Sequence, residues 1–91
     1  MAKIIIPTPL RKFTNNESNF QSTKRTVKEA VAELTDKFPD LKYHLIDNDG
    51  NIRSFIKVFV GEDDIRGLDN ENTAVAADTV ISIVPAIAGG K

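Results

Sequence analysis

Cysteine is absent from this chain of 91 residues, and histidine occurs once. The absence of cysteine excludes disulfides, thiolate nucleophiles and cysteine-based metal sites. No apolar run approaches the roughly 20 residues of a membrane-spanning helix, and the N-terminus lacks the apolar core of a signal peptide. The formal net charge is -1 with both signs interspersed, which predicts no surface for nucleic acid or an anionic membrane. We therefore expect a cytoplasmic protein with neither of these partners.

The composition is that of a small folded domain. Hydrophobic residues make up 41% of the sequence and charged residues 27%, proportions that are ordinary for a globular protein. A chain of this length forms one domain with a modest core. We predict a folded domain at residues 1–85 and a flexible tail at residues 86–91.

Two short strands and a helix are predicted in the first half. Lys3–Ile6 is a β-branched run that stops at a proline, and Asn19–Ser22 is a weaker strand beyond a polar loop. Thr26 and Glu29 form a capping-box pattern at the start of a helix, and Pro39 ends that helix. Its apolar residues recur at helical spacing, namely Val27, Ala30, Val31, Leu34 and Phe38. A helix with a single apolar stripe is expected to pack on a sheet.

Two stronger strands are predicted in the second half. Phe55–Val60 alternates with period 2, which places Phe55, Lys57 and Phe59 on one face. The lysine marks that face as the wetter one, so we expect both aromatic residues to be partly exposed. The final strand, Thr79–Val84, ends at a proline. Ile81 and Ile83 lie on one of its faces, and the other face carries Val80, Ser82 and Val84.

The acidic clusters and the histidine predict no catalytic or metal site. Asp47–Asn51 is similar to the start of a calcium loop, but the twelfth loop position is Val58, a strand residue, so a turn is favoured. Glu62–Asp64 is expected to face water. His44 has no serine or cysteine nucleophile context, so a catalytic triad has no support.

The order of these elements predicts an α+β protein with the β-grasp, or ubiquitin-like, fold. In this fold a mixed sheet of four to five strands packs on one main helix. The first and last strands are then central neighbours, which suits the nearly continuous apolar character of both.

The tail has two interpretations when it is considered by itself. A run of small residues after a strong strand can be a frayed terminus. Alternatively, the narrow backbone of Gly89 and Gly90 can enter a channel in another protein and present its carboxylate there.

The segment Val84–Gly90 resembles the C-terminus of the ubiquitin-like sulfur carrier proteins of the MoaD, ThiS and CysO type. The resemblance spans nearly the whole chain, because Ile6–Arg11, Phe55–Arg66 and Ala77–Val80 also look like parts of this family. The tail motif is fairly specific, and the other segments only support it.

The resemblance implies a carrier that is not itself an enzyme. An E1-like adenylating enzyme would use ATP to activate the carboxylate of Gly90, and a sulfur donor would then convert it to a thiocarboxylate. A sulfur-accepting biosynthetic enzyme would consume the product, and the carrier would bind no cofactor. Ala88, Gly89 and Gly90 would thread into the partner, while Val84, Phe59 and Phe55 would form the docking surface.

Lys91 departs from the family pattern, because only a terminal carboxyl group can be adenylated. Removal of Lys91 by a peptidase, such as a JAMM-type metallopeptidase, is the favoured interpretation. The alternatives are that Lys91 is an artefact of the expressed chain, or that the chain is an inert relative of the family.

The receiving pathway and the fate of Gly90 have alternatives as well. The tail looks closer to the cysteine-forming and molybdopterin-type carriers than to the thiamine type, and the sequence does not separate the first two. A protein modifier that is conjugated through Gly90 to target lysines is the second hypothesis, and a plain β-grasp interaction module is the third.

Overall fold

The computed structural model describes residues 1–85, in which helices cover one face of a five-stranded sheet. The strands and α-helices are, in chain order, β1 (Ala2–Ile5), β2 (Asn19–Ser22), α1 (Val27–Lys37), α2 (Pro39–Leu45), β3 (Ile56–Val60), β4 (Asp63–Asp64) and β5 (Val80–Pro85). Short 3-10 turns lie at Thr8–Phe13, Ile65–Gly67 and Asn70–Asn72. None of the helices in this part of the chain has the length and apolar character needed to cross a membrane.

The sheet has the strand order β2-β1-β5-β3-β4. The first and last strands, β1 and β5, are parallel neighbours at its centre, and the other strand pairs are antiparallel. Because the N-terminal and C-terminal strands meet there, both bury apolar side chains, with Ile4 opposite Ile81 and each 0% exposed. The predicted β-grasp architecture is confirmed.

Helix α1 begins where the capping box predicts. The side-chain oxygen of Thr26 accepts a hydrogen bond from the backbone N–H of Glu29 at 3.2 Å. The carboxylate of Glu29 accepts in return from the Thr26 hydroxyl, rather than from the backbone as the capping-box pattern predicts. The predicted apolar stripe is buried: Val27, Ala30, Val31, Leu34 and Phe38.

Pro39 ends α1 and also begins a second helix that the sequence pattern did not predict. Proline is well tolerated at the first position of a helix, because its missing N–H would have no partner there. Helix α2 buries Leu41 and Leu45, which are one turn apart. Two apolar positions in seven residues are too few to distinguish a short helix from a loop by periodicity.

The predicted strands differ from the observed ones at their ends. Phe55 lies in a turn before β3, because the N–H of Ile56 bonds back to the carbonyl of Arg53 at 2.9 Å. β5 includes Pro85, the residue that was expected to follow it. In β1 the strand ends one residue earlier than predicted, at Ile5.

Two of the polar features have a structural explanation. One carboxylate oxygen of Asp47 accepts hydrogen bonds from the N–H groups of Asp49 and Asn51, which makes this segment the predicted turn. His44 is exposed and its ring stacks on that of Phe13 at a centroid distance of 4.2 Å. This contact joins α2 to the first 3-10 turn.

Candidate functional site

The candidate site is the C-terminal end of β5 together with the uncovered face of the sheet. Pro85, the last residue of this central strand, lies opposite Ile56 at the start of β3. The predicted functional tail, with Ala88, Gly89, Gly90 and Lys91, lies outside the described residues. The structure therefore defines the position of Pro85, the residue to which that tail is joined.

Strand alternation separates the buried face of β5 from its uncovered face. Ile81 and Ile83 are buried beneath the helices, whereas Val80 and Val84 are 40% and 42% exposed on the other side. The alternation arises because successive side chains of a strand point to opposite faces. An exposed valine at each end of one strand is therefore a consequence of burying the isoleucines between them.

Two of the predicted docking residues lie on this uncovered face. Val84 is opposite Lys57, and Phe59 is opposite Ser82. Phe59 is half-buried, and Asp64 of β4 lies on its other side. The structure thus provides an apolar surface with a lysine beside it, next to the end of β5.

Phe55, the third predicted docking residue, occupies a different position. It lies in the turn before β3 and is 38% exposed. Because it directly precedes Ile56, which pairs with Pro85, it borders the end of β5. The partial exposure expected of both aromatic residues is confirmed, and their docking role stays a prediction.

The register adds residues to the surface that sequence reasoning did not select. Ile5 lies beside Ser82 across the parallel pair, and Lys3 lies beside Val80. Ile5 is half-buried and Lys3 is exposed. Alternation within β1 could have assigned both to the outer face, but only the β1–β5 register places them next to Val80 and Ser82.

The described residues also show which side chains surround the candidate site. Between residues 1 and 85, no three histidine, aspartate or glutamate side chains lie close enough together to hold a metal ion. The uncovered face presents valine, phenylalanine, isoleucine, serine and lysine side chains. Such a surface can bind another protein.

Comparison with known proteins identifies the family. The sequence model of the ThiS family matches residues 4–90 and so extends from β1 to Gly90. The chain belongs to the ThiS family. This confirms the resemblance to the ubiquitin-like sulfur carrier proteins.

Two mycobacterial proteins are similar to this chain over nearly their whole length. This ThiS-family chain is 27% identical to the sulfur carrier protein CysO of Mycobacterium tuberculosis over 89 residues, which are 96% of each chain. The sulfur carrier protein CysO of Mycobacterium bovis gives the same identity and coverage.

Solved structures show the same fold. The structure of the Amycolatopsis orientalis BexX/CysO complex contains a chain with a TM-score of 0.89 and 28% identity, covering 99% of this chain and 100% of that one. Small archaeal modifier protein 1 of Methanosarcina acetivorans has a TM-score of 0.87 at 23% identity, with 98% and 95% covered. At the lower identity the likeness shows the fold alone.

Proposed function

We propose that this ThiS-family chain is a sulfur carrier whose working group is the carboxylate of Gly90. The observation that carries this proposal is the family match, which continues through the tail to Gly90. The similarity to sulfur carrier protein CysO over 96% of both chains supports it. The central strand β5 ends beside an uncovered apolar surface, which is a suitable arrangement for delivering a tail to a partner.

The proposed chemistry has two steps. A carboxylate oxygen of Gly90 attacks the α-phosphorus of ATP on an adenylating enzyme, pyrophosphate leaves, and an acyl-adenylate forms. A sulfur donor that supplies hydrosulfide then attacks the acyl carbon, and AMP leaves with the electron pair of the broken bond. Adenylation is needed because a free carboxylate does not accept a sulfur nucleophile.

The body contributes binding rather than chemistry. Val84 and Phe59 on the uncovered face, with Phe55 beside the end of β5, form the proposed docking surface for the adenylating enzyme. Exposed apolar residues next to a reactive terminus are typical of an interaction site. The consumer of the thiocarboxylate is a biosynthetic enzyme of the cysteine-forming or molybdopterin-forming type.

Lys91 must be removed before the first step, because its peptide bond occupies the acyl carbon of Gly90. We assign this step to a peptidase, with a JAMM-type metallopeptidase as the proposed class. Intact mass spectrometry of the protein from its native cell tests the assignment. A Gly90 terminus supports processing, whereas a population that consists only of the full-length chain contradicts it.

A reconstitution tests the carrier function itself. The chain ending at Gly90 is incubated with an adenylating enzyme from the same cell, ATP and sulfide, and the chain ending at Lys91 serves as the control. We expect only the trimmed chain to gain the mass of one sulfur in exchange for one oxygen. Failure of every candidate enzyme to activate it would count against the carrier. Gly-Gly remnants on cellular lysines would instead indicate the protein modifier.

A further inference from the structure

Two arginines, Arg53 and Arg66, lie near Pro85, the last described residue. The carbonyl of Arg53 accepts a hydrogen bond from the N–H of Ile56, and Ile56 pairs with Pro85 at the end of β5. Arg66 comes from the 3-10 turn after β4, and its Nη2 donates to the carbonyl of Ser54 at 2.8 Å. Arg53 therefore belongs to a backbone turn to which Arg66 donates a hydrogen bond. The same turn leads into Ile56, which pairs with Pro85.

Each guanidinium is fixed by a hydrogen bond that uses only part of its donor capacity. The Nε of Arg53 donates to the carbonyl of Tyr43 at 2.8 Å, and Arg66 uses Nη2. A guanidinium has five N–H donors in a planar arrangement suited to a carboxylate. Within residues 1–85, neither arginine donates a hydrogen bond to a carboxylate. Each side chain is therefore oriented by its hydrogen bond and has further N–H donors with which it can bind an anionic group.

The two arginines line the same cleft, which has a volume of about 170 Å³. Ile56 and Ile65 contribute apolar surface to it. Glu71 also lines the cleft, and one of its carboxylate oxygens accepts a hydrogen bond from the N–H of Ile52 at 3.0 Å. The lining of the cleft thus contains two arginines and one glutamate, and the glutamate carboxylate already accepts a backbone hydrogen bond.

We infer that the cleft between Arg53 and Arg66 binds the C-terminal carboxylate of the chain itself. Six residues follow Pro85, and an extended segment of that length reaches at most about 20 Å. They contain no aspartate or glutamate, so the terminal carboxylate is their only anionic group. Alanine and glycine dominate the segment, which lets its backbone approach the arginines closely.

The functional role that we assign to this contact rests on the proposed function, whereas the contact itself is inferred without it. In a sulfur carrier the arginines hold the acyl terminus against the body until a partner displaces it. The contact must then be weak, as ion pairs at a protein surface are. The ammonium group of Lys91 repels the two guanidinium groups, so removal of this side-chain charge strengthens the contact.

The test is a ¹³C NMR titration of the terminal carboxyl group in the full-length chain. At an ionic strength of about 0.01 M, we expect Arg53→Gln with Arg66→Gln to raise the pKa of this group by about 0.2 to 0.7 unit, because nearby positive charges favour the carboxylate. Lys24→Gln with Arg25→Gln is the matched control, since these two residues lie with Ala77 near the start of β5, at the opposite end of the strand.

A second measurement needs no substitution in the cleft. Raising the ionic strength to about 1 M, where the Debye length is about 3 Å, is expected to raise the terminal pKa of the unmodified protein. The Nε–H signals of Arg53 and Arg66 should shift with the same midpoint as the carboxyl group. A terminal pKa that is the same in the unmodified protein and the double variant, with arginine signals that do not respond, overturns the inference. Neither result depends on ATP or a partner, so failed adenylation would refute the proposed function alone.

Discussion

Val84 is the residue that most directly connects the sheet surface to the tail. It is 42% exposed, lies opposite Lys57 and precedes the last residue of β5. We predict that Val84→Asp lowers the kcat/KM of adenylation at least about tenfold, since a buried charge at an apolar interface is strongly unfavourable. Folding should be preserved, because exposed substitutions change the free energy of unfolding by about 0.5 kcal/mol or less.

Val80 provides a matched control for this prediction. It is 40% exposed on the same strand and the same face, but it lies at the other end of β5. Val80→Asp should therefore reduce adenylation much less. Equal losses for the two variants, measured by pyrophosphate exchange, would show that the position of Val84 has no special importance.

At the scale of the element, the start of α1 depends on a single side chain. The Thr26 oxygen accepts from the N–H of Glu29 and satisfies one of the free donors of the first turn. Thr26→Ala is expected to lower the free energy of unfolding by about 1 kcal/mol, the usual effect of losing such a cap. Urea denaturation followed by circular dichroism measures this change.

Thr23→Ala is the control for the capping prediction. Thr23 is exposed, and its hydrogen bond to Glu33 is made by its backbone N–H rather than its hydroxyl. We expect its free energy of unfolding to stay within about 0.5 kcal/mol of the unmodified protein. A Thr26 variant as stable as the Thr23 variant would refute the capping contribution.

The sheet and the helices contribute differently to the site. β3 and β1 hold β5 from both sides, which fixes the direction of its C-terminal end. Helix α1 covers only the buried face, so the valines of β5 remain uncovered. The proposed docking surface therefore exists because the helices lie on one side of the sheet.

At the scale of the whole molecule, stability depends on one apolar core between the sheet and the helices. Leu34 is fully buried in it. We predict that Leu34→Ala lowers the free energy of unfolding by about 2–5 kcal/mol, through lost burial and a residual cavity. Leu68→Ala, at a leucine that is 44% exposed, should have a far smaller effect. Equal losses in thermal or urea unfolding would contradict the assignment of the core.

We expect the tail to contribute little to the free energy of unfolding. Deleting residues 86–91 leaves in place every core residue of the described part of the chain, residues 1–85. We expect the shortened chain to keep its free energy of unfolding within about 1 kcal/mol, the upper range of a surface ion pair. The same deletion should abolish activation by the adenylating enzyme completely. Loss of the fold on deletion would contradict this division of roles.

Local sequence patterns determined the elements whose signals are complete within a few residues. The Thr26 and Glu29 pair, the alternation after Ile56 and the Asp47 turn each depend on contacts between close neighbours in the chain. Their physical causes, namely capping, pleating and short-range hydrogen bonding, do not require the rest of the molecule. The tail motif is likewise a property of contiguous residues.

Only the tertiary structure decided the features that join distant segments. The α2 helix, which buries Leu41 and Leu45, and the cleft that Arg53 and Arg66 both line could not be obtained from local patterns. Each depends on packing or hydrogen bonds between residues far apart in the sequence, and the energy of such contacts exceeds local propensity. The sequence by itself determined which terminal group we propose as the working one, because that motif is contiguous. The fold decided which surfaces surround Pro85, because those surfaces come from strands that are distant in the chain.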